Sequence, residues 1–230
     1  MKIEILFPEL CAMYGDNGNI LLLEKTFGKE NVIRTSILEK PRFLSEDIDM
    51  VYMGAMSEKT QIQVLDILHP VLDKLKEKIE NNMKVLFTGN ATDLLGTKII
   101  EEDKSVIKGL GLFDFETVIK RSPRLNVVLY GSYEGIPMVG HKTQFTESFS
   151  KDHTDYLFKV DKGMGINRNS MLEGFVYKGL VGTNITGPFL VMNPGFAKAY
   201  LETEIPHMEL LEETQAKRIE DTKGIKEIFY

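Results

Sequence analysis

The sequence has 230 residues, a net charge of −6 at pH 7 and one cysteine. A single cysteine excludes an internal disulfide and a zinc site built from several cysteines. The acidic balance argues against binding to nucleic-acid phosphates, which requires a basic surface. No apolar run approaches the length of about 18 residues that indicates a membrane span. Glu4 and Pro8 interrupt the first apolar stretch, so no signal peptide is expected and we predict a cytoplasmic protein.

The first 100 residues alternate between strand-like and helix-like segments. Short apolar runs that end at turn residues predict strands, and apolar residues at helical spacing predict helices. Pro70 falls within the longest helical stretch and is expected to kink or divide it. The predicted strands cover residues 3–7, 31–35, 49–53 and 84–87, and the predicted helices cover residues 20–28, 59–81 and 91–95.

The second half is richer in strands and ends in helices. The predicted strands cover residues 126–130, 136–140, 156–160 and 174–181, and the predicted helices cover residues 194–202 and 206–221. Alternating strands and helices are typical of a parallel sheet that is covered on both faces. We therefore predict an α/β fold of three layers, with a mostly parallel central sheet, in a single domain over residues 1–230.

A sharp break from strand to helix stands out at Thr88-Gly89-Asn90. In α/β hydrolytic folds, such an elbow carries a nucleophile on a strained turn, and backbone N–H groups at the helix start stabilise an oxyanion. A strand, a glycine and a helix in succession are common in α/β proteins. The elbow alone therefore favours a structural turn.

Four segments, in order, carry a resemblance to a known family. Residues 7–19 resemble Y-P-x-L-x-x-x-Y-G-D-x-G-N, and residues 49–57 resemble D-x-V-x-x-G-G-G-Q. Residues 85–96 resemble V-L-x-x-C-G-G-Y-Q-L-L-G, and residues 182–194 resemble G-T-Y-L-H-G-P-x-L-x-x-N-P. The chain thus resembles the class I glutamine amidotransferases of the cobyric acid synthase type. This resemblance implies the amidotransferase fold, release of ammonia from glutamine, and a synthetase or ligase partner of the Mur-ligase type.

The chain departs from the family at its two catalytic positions. The nucleophilic cysteine of the family falls on Gly89, and its catalytic histidine falls on Thr186. Glycine offers no nucleophile, and threonine is no general base near pH 7. Removal of a nucleophile or a base from a comparable triad costs on the order of 10⁶ in turnover. Glycine also fits an elbow with unusual backbone angles once no side chain is needed there.

Further departures fall on the segments expected to surround the substrate. The glycine-rich loop of the family becomes Gly54-Ala55-Met56, which adds side chains where backbone N–H groups should approach the substrate. In the elbow, Asn90 and Asp93 replace glycine and glutamine. Together with Thr92, they make the elbow polar enough to bind a small amide-like or hydroxyl-bearing ligand.

Two more family segments are altered. The family's K-R-x-x-G-N, whose arginine is expected to hold the glutamine carboxylate, aligns with residues 121–126 and places Ser122 in the arginine column. A shift of one residue would restore Arg121. The family's G-F-E-N-H appears as Gly-His-Lys-Thr-Gln over residues 140–144, which makes His141 a further pocket candidate.

The remaining motifs indicate neither a cofactor nor a metal. The sequence contains no phosphate-binding, dinucleotide-binding or H-E-x-x-H motif. Asp16-Asn17-Gly18-Asn19 lacks the 12-residue loop of a calcium site, and a capped helix start is the preferred interpretation. Cys11 lies in the first loop, where a lone cysteine is typically a small buried hydrophobic residue.

Three hypotheses for the function follow. The first is a catalytically degenerate amidotransferase homologue that acts as a binding or scaffolding subunit, with a Mur-ligase-like synthetase as the partner the resemblance implies. The second is an enzyme with rebuilt chemistry in the same pocket. The third is an active glutaminase subunit that transfers ammonia to a cobyric acid or lipid II type substrate. Against the third, no small shift of the alignment brings Cys11 to the elbow.

Overall fold

A six-stranded sheet forms the centre of the protein, for which a computed structural model describes residues 1–225. In chain order, the strands of the whole chain are β1 (Ile3–Leu6), β2 (Val32–Thr35), β3 (Met50–Met53), β4 (Lys84–Thr88), β5 (Lys98–Ile100), β6 (Val106–Lys108), β7 (Phe115–Ile119), β8 (Leu125–Tyr133), β9 (Ile136–Gln144), β10 (Thr146–Ser150), β11 (Phe158–Lys162), β12 (Leu172–Glu173), β13 (Phe175–Tyr177) and β14 (Leu180–Thr183). The central sheet has the order β13-β14-β4-β3-β1-β2 and is parallel except for the edge strand β13.

Helices cover both faces of the central sheet. They are α1 (Asn17–Phe27), α2 (Glu58–Leu68), α3 (Leu72–Glu80), α4 (Phe189–Met192), α5 (Pro194–Leu201) and α6 (Met208–Gly224). Val51 and Val85 pack in one core with α2 and α3, whereas Met50 and Leu86 pack in another with α1, α4 and α5. Neighbouring strand residues point to opposite faces, so the sheet lies between two helical layers. The predicted three-layer α/β fold is confirmed.

Pro70 divides the long helical stretch as the sequence predicts. Helix α2 ends at Leu68, a 3₁₀ turn covers His69–Val71, and α3 begins at Leu72. Proline lacks the N–H that would continue the helical hydrogen bonds. At the elbow, the predicted helix is a 3₁₀ turn over Gly89–Leu95.

The second half forms two smaller sheets of four strands. Their orders are β10-β7-β5-β6 and β12-β11-β8-β9. The sequence predictions missed β5, β6, β7, β10 and β12, which are short or carry polar residues at alternate positions. Residues 174–181 were predicted as one strand, but they form the hairpin of β13 and β14. Lys178, with a φ of 51°, turns the chain between them.

The parallel strands bring four loops to one edge of the central sheet. Strands β1, β3, β4 and β14 run in the same direction, so the segments that follow them meet at their carboxyl ends. In open α/β sheets, ligands bind at this edge. All four segments that resemble the amidotransferase family include one of these loops. Within residues 1–225, no helix is both long and apolar enough to cross a membrane.

Candidate functional site

The carboxylate of Asp16 joins the loops at the carboxyl edge of the sheet. It accepts hydrogen bonds from the Ala55 amide at 2.6 Å, from Thr88 Oγ1 at 3.0 Å and from Asn19 Nδ2 at 3.1 Å. The side chain is fully buried, and this burial raises the pKa of Asp16. The predicted capping role is therefore wrong, because the Asp16 side chain accepts no hydrogen bond from a backbone N–H at the start of α1.

Two glycines make room for this carboxylate. A Cβ atom at Gly54 would lie 2.5 Å from Asp16 Oδ2, and a Cβ atom at Gly187 would lie 2.3 Å from Asp16 Oδ1. Neither distance is compatible with a side chain. Gly54 is thus a packing residue beneath the site, and its position does not line the cavity described below.

Gly89 occupies the elbow with a φ of +59°, a left-handed conformation that favours glycine. A Cβ atom at Gly89 would lie only 2.7 Å from the Cβ atom of Ala55. Ala55 therefore fills the space that the side chain of a nucleophile would need. The two departures from the family are complementary: one position has lost a side chain and its neighbour has gained one.

The backbone N–H groups of the neighbouring loop are also engaged. The Ala55 amide binds Asp16, and the Met56 amide donates to Asn90 Oδ1 at 2.9 Å. In return, Asn90 Nδ2 donates to the Met56 carbonyl at 2.8 Å. Both the oxygen and the nitrogen of the Asn90 side-chain amide thus form hydrogen bonds with the backbone of Met56. Neither the Ala55 N–H nor the Met56 N–H therefore remains free to donate to a developing oxyanion.

Thr186 is the residue that the sequence motif aligns with the catalytic histidine of the family. Its hydroxyl donates to the His141 carbonyl at 2.9 Å, and its backbone amide donates to the same oxygen at 3.0 Å. The His141 imidazole lines a separate cavity with Arg218. Burial, with a further contribution from the charge of Arg218, lowers the pKa of His141.

A cavity of about 290 Å³ opens where these loops meet. It brings together the predicted residues Gly89, Ala55, Met56, Asn90 and Thr186. Its other lining residues are Met13, Tyr14, Ser57, Glu58, Gln61, Arg124, Thr143, Gln144, Phe145, Thr146 and Asn184.

Two of the predicted pocket residues lie behind the cavity wall. The hydroxyl of Thr92 donates to the Phe87 carbonyl at 3.2 Å. Asp93 is fully buried, and its Oδ1 accepts from Asn184 Nδ2 at 3.2 Å. Burial raises the pKa of Asp93 to about 7. Asp93 therefore contacts a residue of the cavity wall rather than the cavity itself.

The structure brings Arg124 to the cavity, whereas Ser122 and Arg121 lie outside its lining. The Arg124 guanidinium lies 4.8 Å from the centre of the Phe145 ring and donates to the Tyr14 hydroxyl at 3.0 Å. No carboxylate within residues 1–225 pairs with it. The sequence contains two arginines three positions apart, and the one that lines the cavity is Arg124 rather than the one next to the column that the family spacing indicates.

Arg121 is instead committed to a surface cluster of ion pairs. Its guanidinium contacts Glu58 at 2.5 Å, Glu101 at 2.8 Å and Glu102 at 3.4 Å. Glu58 also lines the cavity. Arg121 therefore engages the carboxylate of Glu58 and leaves Arg124 as the cation at the cavity. Within residues 1–225, no cluster of three His, Cys, Asp or Glu residues could hold a metal ion.

The fold and the site define a class I glutamine amidotransferase-like protein. A solved structure described as a glutamine amidotransferase matches with a TM-score of 0.58 and 11% identity, over 88% of this chain and 98% of the other. The structure of PurLQS from Thermotoga maritima matches with a TM-score of 0.61 and 10% identity, over 88% and 99%. At this level of identity, the likeness concerns the fold.

Sequence comparison identifies the family. Residues 2–194 match the CobB/CobQ-like glutamine amidotransferase domain, and the chain belongs to this family. It is 30% identical to the GatD subunit of lipid II isoglutaminyl synthase (glutamine-hydrolyzing) of Staphylococcus aureus, over 79% of this chain and 74% of that protein. It is 25% identical to the subunit of the same name from Streptococcus pneumoniae, over 89% and 80%.

Substitution of Gly89 tests whether Ala55 fills the place of a side chain. Gly89→Ala should lower the free energy of unfolding by about 2–4 kcal/mol, because it combines backbone strain with a steric clash. Gly111→Ala is the matched control: its φ is +61° but no atom lies within 4 Å of the added Cβ, so it should cost only the strain of about 1–2 kcal/mol. Urea denaturation measures both.

The second substitution Ala55→Gly should recover the part of the loss that is due to the clash. Ala55→Gly alone provides the reference for its own effect on the backbone. Equal losses for Gly89→Ala and Gly111→Ala would contradict the proposed complementarity.

The raised pKa of Asp93 predicts a pH-dependent stability. An unfolded aspartate has a pKa of about 3.9, so the folded state holds its proton more tightly between about pH 4 and 7. The contribution of protonated Asp93 to the free energy of unfolding is therefore complete below pH 4 and is lost as the pH rises through 7. Asp93→Asn should remove this decline, whereas Asn at the exposed Asp66 should leave it intact. Denaturation at pH 5 and pH 8 measures the difference, and an unchanged slope in Asp93→Asn would refute the assignment.

Proposed function

We propose that this chain is a catalytically degenerate amidotransferase homologue, which binds a small ligand and a partner protein without hydrolysing glutamine. The observation that carries the proposal is the geometry around Gly89. Three requirements of glutaminase chemistry are a nucleophile, a base and donors for an oxyanion. At this site, Gly89 offers no nucleophile and Thr186 no base, and the amides of Ala55 and Met56 bind Asp16 and Asn90.

The thiol of Cys11 and the hydroxyls of Thr92 and Thr186 do not favour replacement chemistry. Cys11 is buried, and burial, together with the charges of Glu9 and Asp16, raises the pKa of its thiol to about 12. A thiol with such a pKa is not a thiolate near pH 7. The hydroxyls of Thr92 and Thr186 donate to backbone carbonyls rather than to a base. These contacts favour a binding site over the alternative of an enzyme with rebuilt chemistry.

The retained cavity supports a role in ligand binding. Its volume of about 290 Å³ lies at the small end of the range for ligand pockets. Arg124 is exposed at its rim and supplies a guanidinium, which is well suited to a carboxylate. We therefore propose an amino-acid-sized ligand whose carboxylate binds Arg124.

A synthetase partner is the second part of the proposal. The two relatives described above are named as subunits of a synthase, and we extend this property to the present chain. The loop after β1 exposes Leu10, Met13 and Tyr14, of which Met13 and Tyr14 also line the cavity. Apolar side chains beside a pocket are suited to contact with another protein. We propose that the described chain acts in this assembly as one domain, because its two main cores each contain residues of the central sheet and of a smaller one.

Ammonia release from glutamine tests the proposed loss of catalysis. We expect the purified chain to release no ammonia above the background without enzyme, because loss of a nucleophile or base costs on the order of 10⁶ in turnover. The relative from Staphylococcus aureus serves as the positive control. Turnover above background that persists in Cys11→Ala would contradict the proposal.

A further inference from the structure

Three side chains at the mouth of the cavity contact one another. The guanidinium carbon of Arg124 lies 4.8 Å from the centre of the Phe145 ring and 5.9 Å from the centre of the Tyr14 ring. The guanidinium also donates to the Tyr14 hydroxyl at 3.0 Å. All three residues line the cavity; Arg124 and Tyr14 are exposed, and Phe145 is half-buried. Arg124, Tyr14 and Phe145 are named the rim cluster.

The rim cluster brings free hydrogen-bond donors to one point. An arginine has five N–H groups, and within residues 1–225 the side chain of Arg124 donates only to Tyr14. The Tyr14 hydroxyl accepts this bond and donates to no group of the described chain, so its own hydrogen is available. A carboxylate accepts hydrogen bonds through two oxygens. One carboxylate can therefore bind the guanidinium and the hydroxyl together.

The other hydroxyls and side-chain amides of the lining are engaged with the fold. The hydroxyls bond to or lie against side chains and carbonyls of the protein, and they belong to Ser57, Thr143, Thr146 and Thr186. Each side-chain amide donates to an oxygen of the protein, and these amides belong to Gln61, Asn90, Gln144 and Asn184. The side-chain donors that remain available are thus concentrated at the rim cluster.

This arrangement disfavours a ligand that ends in an amide, as glutamine does. The carbonyl oxygen of such an amide needs a donor inside the cavity. The backbone amides of Ala55 and Met56 bind Asp16 and Asn90 instead. An amide that is buried without its hydrogen bonds is penalised, whereas a hydrocarbon group of similar size gains from burial.

Apolar side chains at the mouth offer contacts to such a hydrocarbon group. Met13 is 40% exposed and lines the cavity next to Tyr14 in the chain. The Phe145 ring lines the same cavity and carries Arg124 against its face. A methionine side chain adapts to apolar partners of different shape, and aromatic rings offer a large apolar surface. The accessible lining therefore combines one carboxylate site with apolar contacts.

We propose that the cavity binds a carboxylate with an apolar body of amino-acid size, with its oxygens on Arg124 and Tyr14 and its hydrocarbon against Met13 and Phe145. This inference rests on the proposed function, because it assigns a ligand class to the same non-hydrolysing site. It gives Tyr14 a direct role in binding. It also separates the ligand from glutamine by the end of the side chain alone.

Titration calorimetry with L-norleucine, L-glutamine and L-norleucinamide tests the ligand class. Glutamine replaces the hydrocarbon end of norleucine by an amide, and norleucinamide replaces only its carboxylate. We expect L-norleucine to bind at least about tenfold more tightly than either other ligand, because each of them lacks one of the two matched ends. Equal or tighter binding of glutamine or norleucinamide, or no binding of norleucine, would overturn the inference.

Variants of the rim cluster test where the carboxylate binds. Arg124→Met removes the charge and keeps an unbranched side chain, so it should weaken norleucine binding by at least about tenfold. Arg124→Lys keeps the charge and should lose less affinity. Tyr14→Phe keeps the ring and removes the second donor, so it should weaken norleucine binding by about fivefold. Equal losses in Arg124→Met and Arg124→Lys, or full affinity in Tyr14→Phe, would overturn the inference.

Tyr177→Phe is the matched control for loss of a tyrosine hydroxyl. Tyr177 is also exposed, but its hydroxyl donates to Glu80 and the residue does not line the cavity. This variant should retain the affinity for norleucine, and a loss equal to that of Tyr14→Phe would overturn the role of Tyr14. Ammonia release from glutamine is measured on the same preparation. Ammonia release would refute the proposed loss of catalysis, whereas the ranking of the three ligands decides the ligand class by itself.

Discussion

The buried carboxylate of Asp16 is the constraint on which the site depends. A carboxylate removed from water must be compensated by hydrogen bonds, and here the donors come from the loop after β3, the end of β4 and the first helix. Gly54 and Gly187 leave no room for side chains beside it. The motif at residues 14–19 therefore fixes the relative positions of loops that are far apart in sequence. These hydrogen bonds hold the loops of the site together with glycine at position 89.

The same constraint limits what the site can do. Asp16 holds the Ala55 amide, which directs the Ala55 methyl group toward the elbow and against Gly89. Asn90 then pairs with the neighbouring residue, Met56, through both ends of its side-chain amide. The loop after β3 thus has its backbone groups at Ala55 and Met56 occupied by hydrogen bonds to Asp16 and Asn90. In the degenerate site that we propose, the missing nucleophile, the missing base and the two engaged loop amides form one consistent change, while a cavity with Arg124 at its rim remains.

The sequence predicted the α/β architecture and the elbow because both depend on local patterns: apolar runs, turn residues and the glycine at position 89. It failed where the outcome depends on contacts between distant segments. Strands β5, β6, β7, β10 and β12 are stabilised by their neighbours rather than by their own composition. Asp16 has the sequence signature of a helix cap, yet its partners lie across the fold. Arg121 and Arg124 differ only in whether glutamates surround them, which no spacing in the sequence reveals.

Reconstruction of the catalytic residues tests the central claim most directly: that engaged loop amides, as well as missing side chains, prevent glutamine hydrolysis. Two variants are compared for ammonia release. One restores only Gly89→Cys and Thr186→His, and the other adds Ala55→Gly and Asn90→Gly. We predict that only the variant with four substitutions releases ammonia above background, because it alone provides room for the thiol and frees the Met56 amide. Equal turnover by the variant with two substitutions would contradict the account.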